Sequence, residues 1–276
     1  TRANVAMTLV LDRSRSMTLN GGSTALPLAV AHFLTNFSDT LDQVALATFA
    51  SDSTLDVSMR GNFTSTITSS VNGINFDGGT YAQGGLLLAQ TQEAGVGGLN
   101  ILKAVVFFTD GWANTNLDNL QCSSRSSATT LLNYGGCAPP EAAVGWCGGG
   151  VSFWTPGTNP AQSVSCNATS FPAQQPGNQG GINDTDVSNE ANYRAIQLAN
   201  TLRASNVVVY AVGLGDKINS TVLQQIANDP SSPTYDYTKP QGLAVIASDC
   251  PGPTCPADLD RAFQAVATDI LLRLTK

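Results

Sequence analysis

Apolar runs of strand length alternate along this chain with segments of helical spacing, and that alternation limits the possible folds more than any other feature. The runs VAMTLVL (5–11), VALATFA (44–50), KAVVFFT (103–109) and NVVVYAVGL (206–214) are nearly unbroken in apolar character and too short for helices. Between and after them, ALPLAVAHFLTNF (25–37), FTSTITSSVNGI (63–74), YAQGGLLLAQTQEA (81–94), NEANYRAIQLANTLRAS (189–205), NSTVLQQIAND (219–229) and ADLDRAFQAVATDILLRL (257–274) carry the 3.6-residue period. Asn62 or Thr64 is a plausible cap for the second of these helices, and Asn219 or Ser220 for the fifth. STLDVSM (53–59) alternates as a half-exposed strand does, and a short strand is expected around TYDYT (234–238). Strands apolar on both sides need cover on both sides, so the order predicts an α/β fold: a doubly wound, mostly parallel central sheet with helices on both faces. In such a sheet ligands bind beyond the carboxyl ends of the strands, where the strand order reverses.

One stretch breaks the alternation. Residues 111–187 are rich in Cys, Gly and Pro, show little periodicity, and hold all three tryptophans, Trp112, Trp146 and Trp154. We read residues 1–276 as a single domain and 111–187 as an irregular, disulfide-rich insertion within it. It leaves the sheet directly after Asp110, on the ligand-binding face. The tryptophans, with Tyr134, are read first as the insertion's own small core; the alternative is an aromatic recognition surface on that face. Six cysteines without tight C-x-x-C knuckles point to disulfides in an oxidising compartment rather than to zinc. The sequence DCPGPTC brings Cys250 and Cys255 within reach of each other, while Cys122, Cys137, Cys147 and Cys166 allow three pairings.

A net charge of −7 with no basic run argues against nucleic acid. No stretch of about 18 apolar residues is present to span a membrane. A dinucleotide enzyme needs a glycine-rich turn after its first strand, and DRSRSM has none. The one histidine, His32, lies in an apolar helix without a nucleophile beside it, so no hydrolytic pair is visible. No enzyme is expected.

What stands at the predicted strand ends is oxygen. VAMTLVLDRSRSM places Asp12, Ser14 and Ser16 at alternate positions after the first strand, FDGGTY places Thr80 after two glycines in a loop before a helix, and FFTDGW ends the central strand on Asp110. Two carboxylates and three hydroxyls, with no nitrogen or sulfur, form a hard donor set suited to Mg2+, Mn2+ or Ca2+. Each cluster alone could be turn chemistry; three together, each at a predicted strand end or in a sheet-top loop and in this order, predict one metal site.

This set resembles the metal-ion-dependent adhesion site of the von Willebrand factor A domain family, over Val5 to about Asp110 and again from about Asn189 onward. The resemblance implies one antiparallel edge strand, STLDVSM, in the sheet. It implies direct ligation by Ser14 and Ser16, ligation by Thr80 directly or through water, and action of Asp12 and Asp110 largely through water. It also implies an extracellular adhesion or protein-binding module, the ion completing its shell with an acidic group of a protein partner. The alternative is a structural component of a bacterial pilus or envelope, in the manner of tight-adherence or minor-pilin proteins, whose metal only stabilises the loops. Arg15, between the two serines, stands where many family members carry glycine, and Arg13 precedes it; both are read first as solvated loop charges, and alternatively, with Trp112, as candidate contacts for an anionic partner. A bacterial cell-surface location is expected.

Overall fold

The computed structural model describes residues 2–98, 100–122, 125–133, 152–153, 162–163, 166–168 and 184–275, with side chains over 2–98, 100–116 and 188–275. The elements run β1 (Asn4–Asp12), α1 (Ser16–Leu19), α2 (Gly22–Leu34), β2 (Gln43–Phe49), β3 (Ser53–Arg60), α3 (Thr64–Asn72), α4 (Ala82–Gly95) and β4 (Ile101–Thr109). There follow β5 (Thr115–Cys122), β6 (Arg125–Asn133), β7 (Ser152–Phe153), β8 (Gln162–Ser163) and β9 (Cys166–Ala168). The chain resumes its alternation with α5 (Asp184–Ala204), β10 (Val208–Leu214), α6 (Ser220–Ala227), β11 (Ala244–Ala247) and α7 (Cys255–Leu274).

Six strands form the central sheet in the order β11-β10-β4-β1-β2-β3. All neighbours are parallel except β2 and β3, so the alternating segment STLDVSM is the antiparallel edge. Strand alternation accounts for the unbroken apolar runs. Met7, Leu9 and Leu11 of β1, Val106 and Phe108 of β4, and Tyr210 and Val212 of β10 face a layer built by α2, α3 and α7. Val10, Val105, Phe107 and Val209 point the other way, into α4, α5 and α6. Both faces are dry, so every position is selected for apolar character. Gly85 allows α4 to lie close on the sheet, since a Cβ there would sit 2.7 Å from Phe49 and 2.8 Å from Val10.

Three expectations need correction. TYDYT is not a strand: Asp236 accepts from the backbone and hydroxyl of Thr238 (2.9 and 2.6 Å), and Asn228 accepts from the Asp236 amide (2.9 Å). These side-chain bonds hold a turn, and the strand lies further on, at Ala244–Ala247. The cap of α3 is neither Asn62 nor Thr64. Asp39, from the loop before β2, accepts from the amides of Phe63 and Thr64 at 2.9 Å each. Finally, the insertion does not start irregularly, because β5 pairs antiparallel with β6 and with β9. In contrast, the Asn219 cap is observed, its side chain accepting from Val222 N at 3.2 Å. Cys250 and Cys255 form a disulfide with an S–S distance of 2.05 Å. Cys137, Cys147, Tyr134, Trp146 and Trp154 lie outside the described residues, and so do the side chains of Cys122 and Cys166. Among the described residues no helix is long and apolar enough to cross a membrane.

Candidate metal centre

The strand order reverses between β1 and β4: the chain proceeds from β1 outward to β2 and β3, then from β4 outward to β10 and β11. Asp12 is the last residue of β1, and Asp110 follows the last residue of β4. Parallel pairing of these two strands therefore sets both carboxylates at one crevice, although 98 positions separate them in sequence. Both are buried, each 1% exposed or less.

A continuous hydrogen-bonded path joins four of the five predicted residues. Asp12 Oδ1 accepts from the Ser14 amide at 2.7 Å, which tightens the turn that brings both serines inward. The Ser14 and Ser16 hydroxyls lie 3.0 Å apart, and Ser16 Oγ donates to Asp110 Oδ1 at 2.7 Å. Thr80, the fifth, is brought by its loop. Gly78 has φ +89°, a left-handed conformation that favours glycine, and its carbonyl accepts from the Arg15 amide at 3.1 Å. Asn114 holds Thr80 itself, Asn114 Oδ1 accepting from Thr80 N at 2.7 Å and Asn114 N donating to Thr80 O at 3.1 Å. The Thr80 side chain is buried.

Sequence reasoning missed the residues that orient this set. Thr109 Oγ1 donates to Asp12 Oδ2 at 2.6 Å, and Asn20 Nδ2 donates to Asp110 Oδ2 at 2.8 Å. Asn20 stands four residues after Ser16, at the end of the short helix α1, and that spacing was the available signal. Asn114 gave none, since it lies near the start of the aperiodic segment 111–187. The flanking residues divide. Arg13 is engaged by Asp52, whereas Arg15 is exposed and its side chain has no hydrogen bond or ion pair among the described residues. Trp112 is 48% exposed, its Nε1 donating to Lys217 O at 3.1 Å, and Leu19 is 72% exposed. His32 is on the surface, paired with Asp260 at 2.7 Å and away from this crevice.

The donor set fits a hard cation. Burial raises the pKa of Asp12 well above the ordinary carboxylate range, and the neighbouring Asp110 charge adds to it. Burial likewise raises Asp110, against the bonds from Ser16 and Asn20. No Lys, Arg or His side chain bonds either carboxylate among the described residues, so two close, desolvated acids face one another without a counter-charge. A divalent cation bound there would supply that charge. Among the described residues there is no group of three or more His, Cys, Asp or Glu suited to a metal.

The sheet order, the antiparallel edge and this crevice define a doubly wound fold of the von Willebrand A type. Residues 7–112 match the model of the von Willebrand factor type A domain family. Among solved structures it is similar to the vWF domain of the type V pili tip protein Mfa5 from Porphyromonas gingivalis, with a TM-score of 0.61, 13% identity, and coverage of 100% of this chain and 98% of that one. It is similar also to the pilus adhesin SpaC from Lactobacillus rhamnosus GG in its open conformation, with a TM-score of 0.59, 17% identity, and coverage of 99% and 30%. A third is proximal thread matrix protein 1 from the mussel byssus with a zinc-occupied MIDAS motif, with a TM-score of 0.54, 15% identity, and coverage of 98% and 46%. The chain thus spans less than half the length of the mussel and SpaC chains. No curated protein matches the sequence.

Proposed function

We propose that this chain is a divalent-metal-dependent adhesion module that binds an acidic group of a protein partner outside the cell and catalyses no reaction. The observation that carries the reading is the hydrogen-bonded path Asp12–Ser14–Ser16–Asp110 at the switch point, two buried carboxylates without a cationic partner among the described residues. Ser14, Ser16 and Thr80 would hold the ion through hydroxyl lone pairs. Asp12 is occupied by the Ser14 amide and the Thr109 hydroxyl, and Asp110 by Ser16 and Asn20. Those bonds favour a role for both acids through water, which leaves positive charge unquenched at the open side. A bound Mg2+, Mn2+ or Ca2+ would there offer a hard Lewis-acid position to one carboxylate oxygen of the partner. Leu19 and Trp112 are exposed, and the Arg15 guanidinium has no partner among the described residues; these side chains would offer the apolar and cationic contacts that an acidic protein segment needs. The likeness of the fold to pilus proteins supports a bacterial surface location and a place in a pilus or envelope assembly.

Calorimetric titration with Mg2+, Mn2+ and Ca2+, on the wild type and on Asp12→Ala, tests the centre. At least one ion binds the wild type, and the variant loses that binding. Adhesion of the purified chain to immobilised extracellular-matrix proteins, with and without EDTA, tests the function. If EDTA lowers the melting temperature but leaves adhesion intact, the metal serves only the loops and the adhesive reading fails.

A further inference from the structure

A second recess, of about 380 Å3, lies between α5 and α6 and uses none of the predicted metal ligands. Trp112 and Thr234 are among its lining residues. From α5 come Asn189, Tyr193, Gln197 and Asn200, spaced by four, four and three residues, so they form one stripe down the helix. Opposite them α6 presents Val222 and Gln225 below its cap Asn219. The two walls are held in place: Arg203 of α5 is buried and donates to the carbonyls of Ile226 and Gln225, the latter at 3.1 Å.

Its chemistry is unusual for a helix surface, where charged side chains predominate. Among the described residues no Asp, Glu, Lys or Arg lines the groove. The carboxamides of Asn189, Gln197 and Gln225 have no hydrogen-bond partner among the described residues, so each offers two donors and an acceptor to a ligand. Two aromatic rings accompany them, Tyr193 half-buried and Trp112 tied at its Nε1 yet 48% exposed. An uncharged recess of this kind discriminates against ionic ligands, whose desolvation it cannot repay. Carboxamides match the paired donor and acceptor hydroxyls of a sugar, and the negative faces of aromatic rings suit its C–H faces. Spacing favours the same class. Groups one helical turn apart recur about every 5.4 Å, close to one sugar ring, whereas the two-residue repeat of an extended peptide is about 6.6 Å.

We propose that the α5–α6 groove binds a neutral oligosaccharide, from Asn189 to Asn200 roughly 16 Å in length, or about three sugar rings. The site is separate from the metal centre, so it stands or falls independently of the adhesive reading, although Trp112 borders both.

Saturation-transfer and side-chain amide NMR on the whole chain tests this, in EDTA and again in Mg2+. The probes are cello-, xylo-, manno-, galacto- and chito-oligosaccharides of three to six units, with an uncharged Asn/Gln/Ser octapeptide alongside. At least one neutral series binds in both conditions and shifts the Trp112 indole and the Gln197 and Gln225 amides. Trp112→Ala then weakens binding tenfold or more, and the surface double variant Gln197→Ala/Gln225→Ala weakens it at least fivefold with unchanged melting temperature and Mg2+ binding. The proposal is overturned if no neutral oligosaccharide binds, if the double variant binds as the wild type does, or if the octapeptide occupies the groove instead.

Discussion

Glu93 offers a direct test of how this fold handles a buried charge. It is 1% exposed on α4, against β1. Its Oε1 accepts from Thr8 Oγ1 at 2.7 Å, and its Oε2 is buried without a hydrogen-bond partner among the described residues. Desolvation pushes its pKa from 4.5 up to about 8, against the opposing effects of Thr8 and Lys103. The sign follows from the proton count. Below pH 4.5 the carboxyl is protonated in both states and costs nothing. Between 4.5 and about 8 the unfolded chain releases the proton while the folded chain keeps it, so stability falls by about 1.4 kcal/mol per pH unit. Above about 8 the loss levels off. Across the window this sums to roughly 3–5 kcal/mol, a large share of the stability of a typical domain. Glu93→Gln keeps the acceptor for Thr8 and removes the titration; any strain from its new amide is a constant offset. Urea unfolding followed by far-UV circular dichroism at pH 5, 6, 7, 8 and 9 measures the difference between variant and wild type, in which contributions common to both cancel. That difference should grow in favour of Gln from pH 5 to 8 and then stay level. A difference independent of pH would refute the assignment of a neutral, buried carboxyl.

Two further substitutions probe the residues that hold the centre and the fold around it. Asn20→Ala removes the 2.8 Å bond to Asp110; it should cost about 1–3 kcal/mol in urea unfolding and weaken Mg2+ binding by calorimetry, although Asn20 is not itself an expected ligand. Asp39→Ala removes the remote cap of α3, which serves the amides of Phe63 and Thr64; a loss of about 1–2 kcal/mol with unchanged Mg2+ affinity is expected.

Much of the centre was legible because its residues sit at strand ends, and strand ends can be read from where an apolar run stops. Asp12 and Asp110 each close such a run, and Ser14, Ser16 and Thr80 follow in short turns whose glycine and hydroxyl content is visible locally. The supporting residues were not legible in the same way. Thr109 and Asn20 are ordinary polar residues until folding points them at a carboxylate 97 or 90 positions away. The same holds for Asp39, whose contribution to α3 passes across a neighbouring loop. TYDYT misled because aromatic alternation mimics a strand, while the turn is decided by the side-chain bonds of Asp236 and Asn228. The polar stripe of α5 gave no warning of a groove, because a helix face reveals its neighbour only after α6 is packed beside it.

By itself, then, the order of residues determined the layered α/β architecture, the parallel core strands, the edge strand and the five oxygen-bearing side chains of the candidate centre. These depend on hydrophobic period and local turn chemistry, which act over a few residues and are written in the chain. Only the tertiary structure decided that Ser16 reaches Asp110, that Arg13 is engaged by Asp52 while Arg15 has no partner among the described residues, and that Glu93 is buried against β1. Each depends on the parallel pairing of strands distant in sequence and on how closely helices lie on the sheet, and no local pattern encodes those distances.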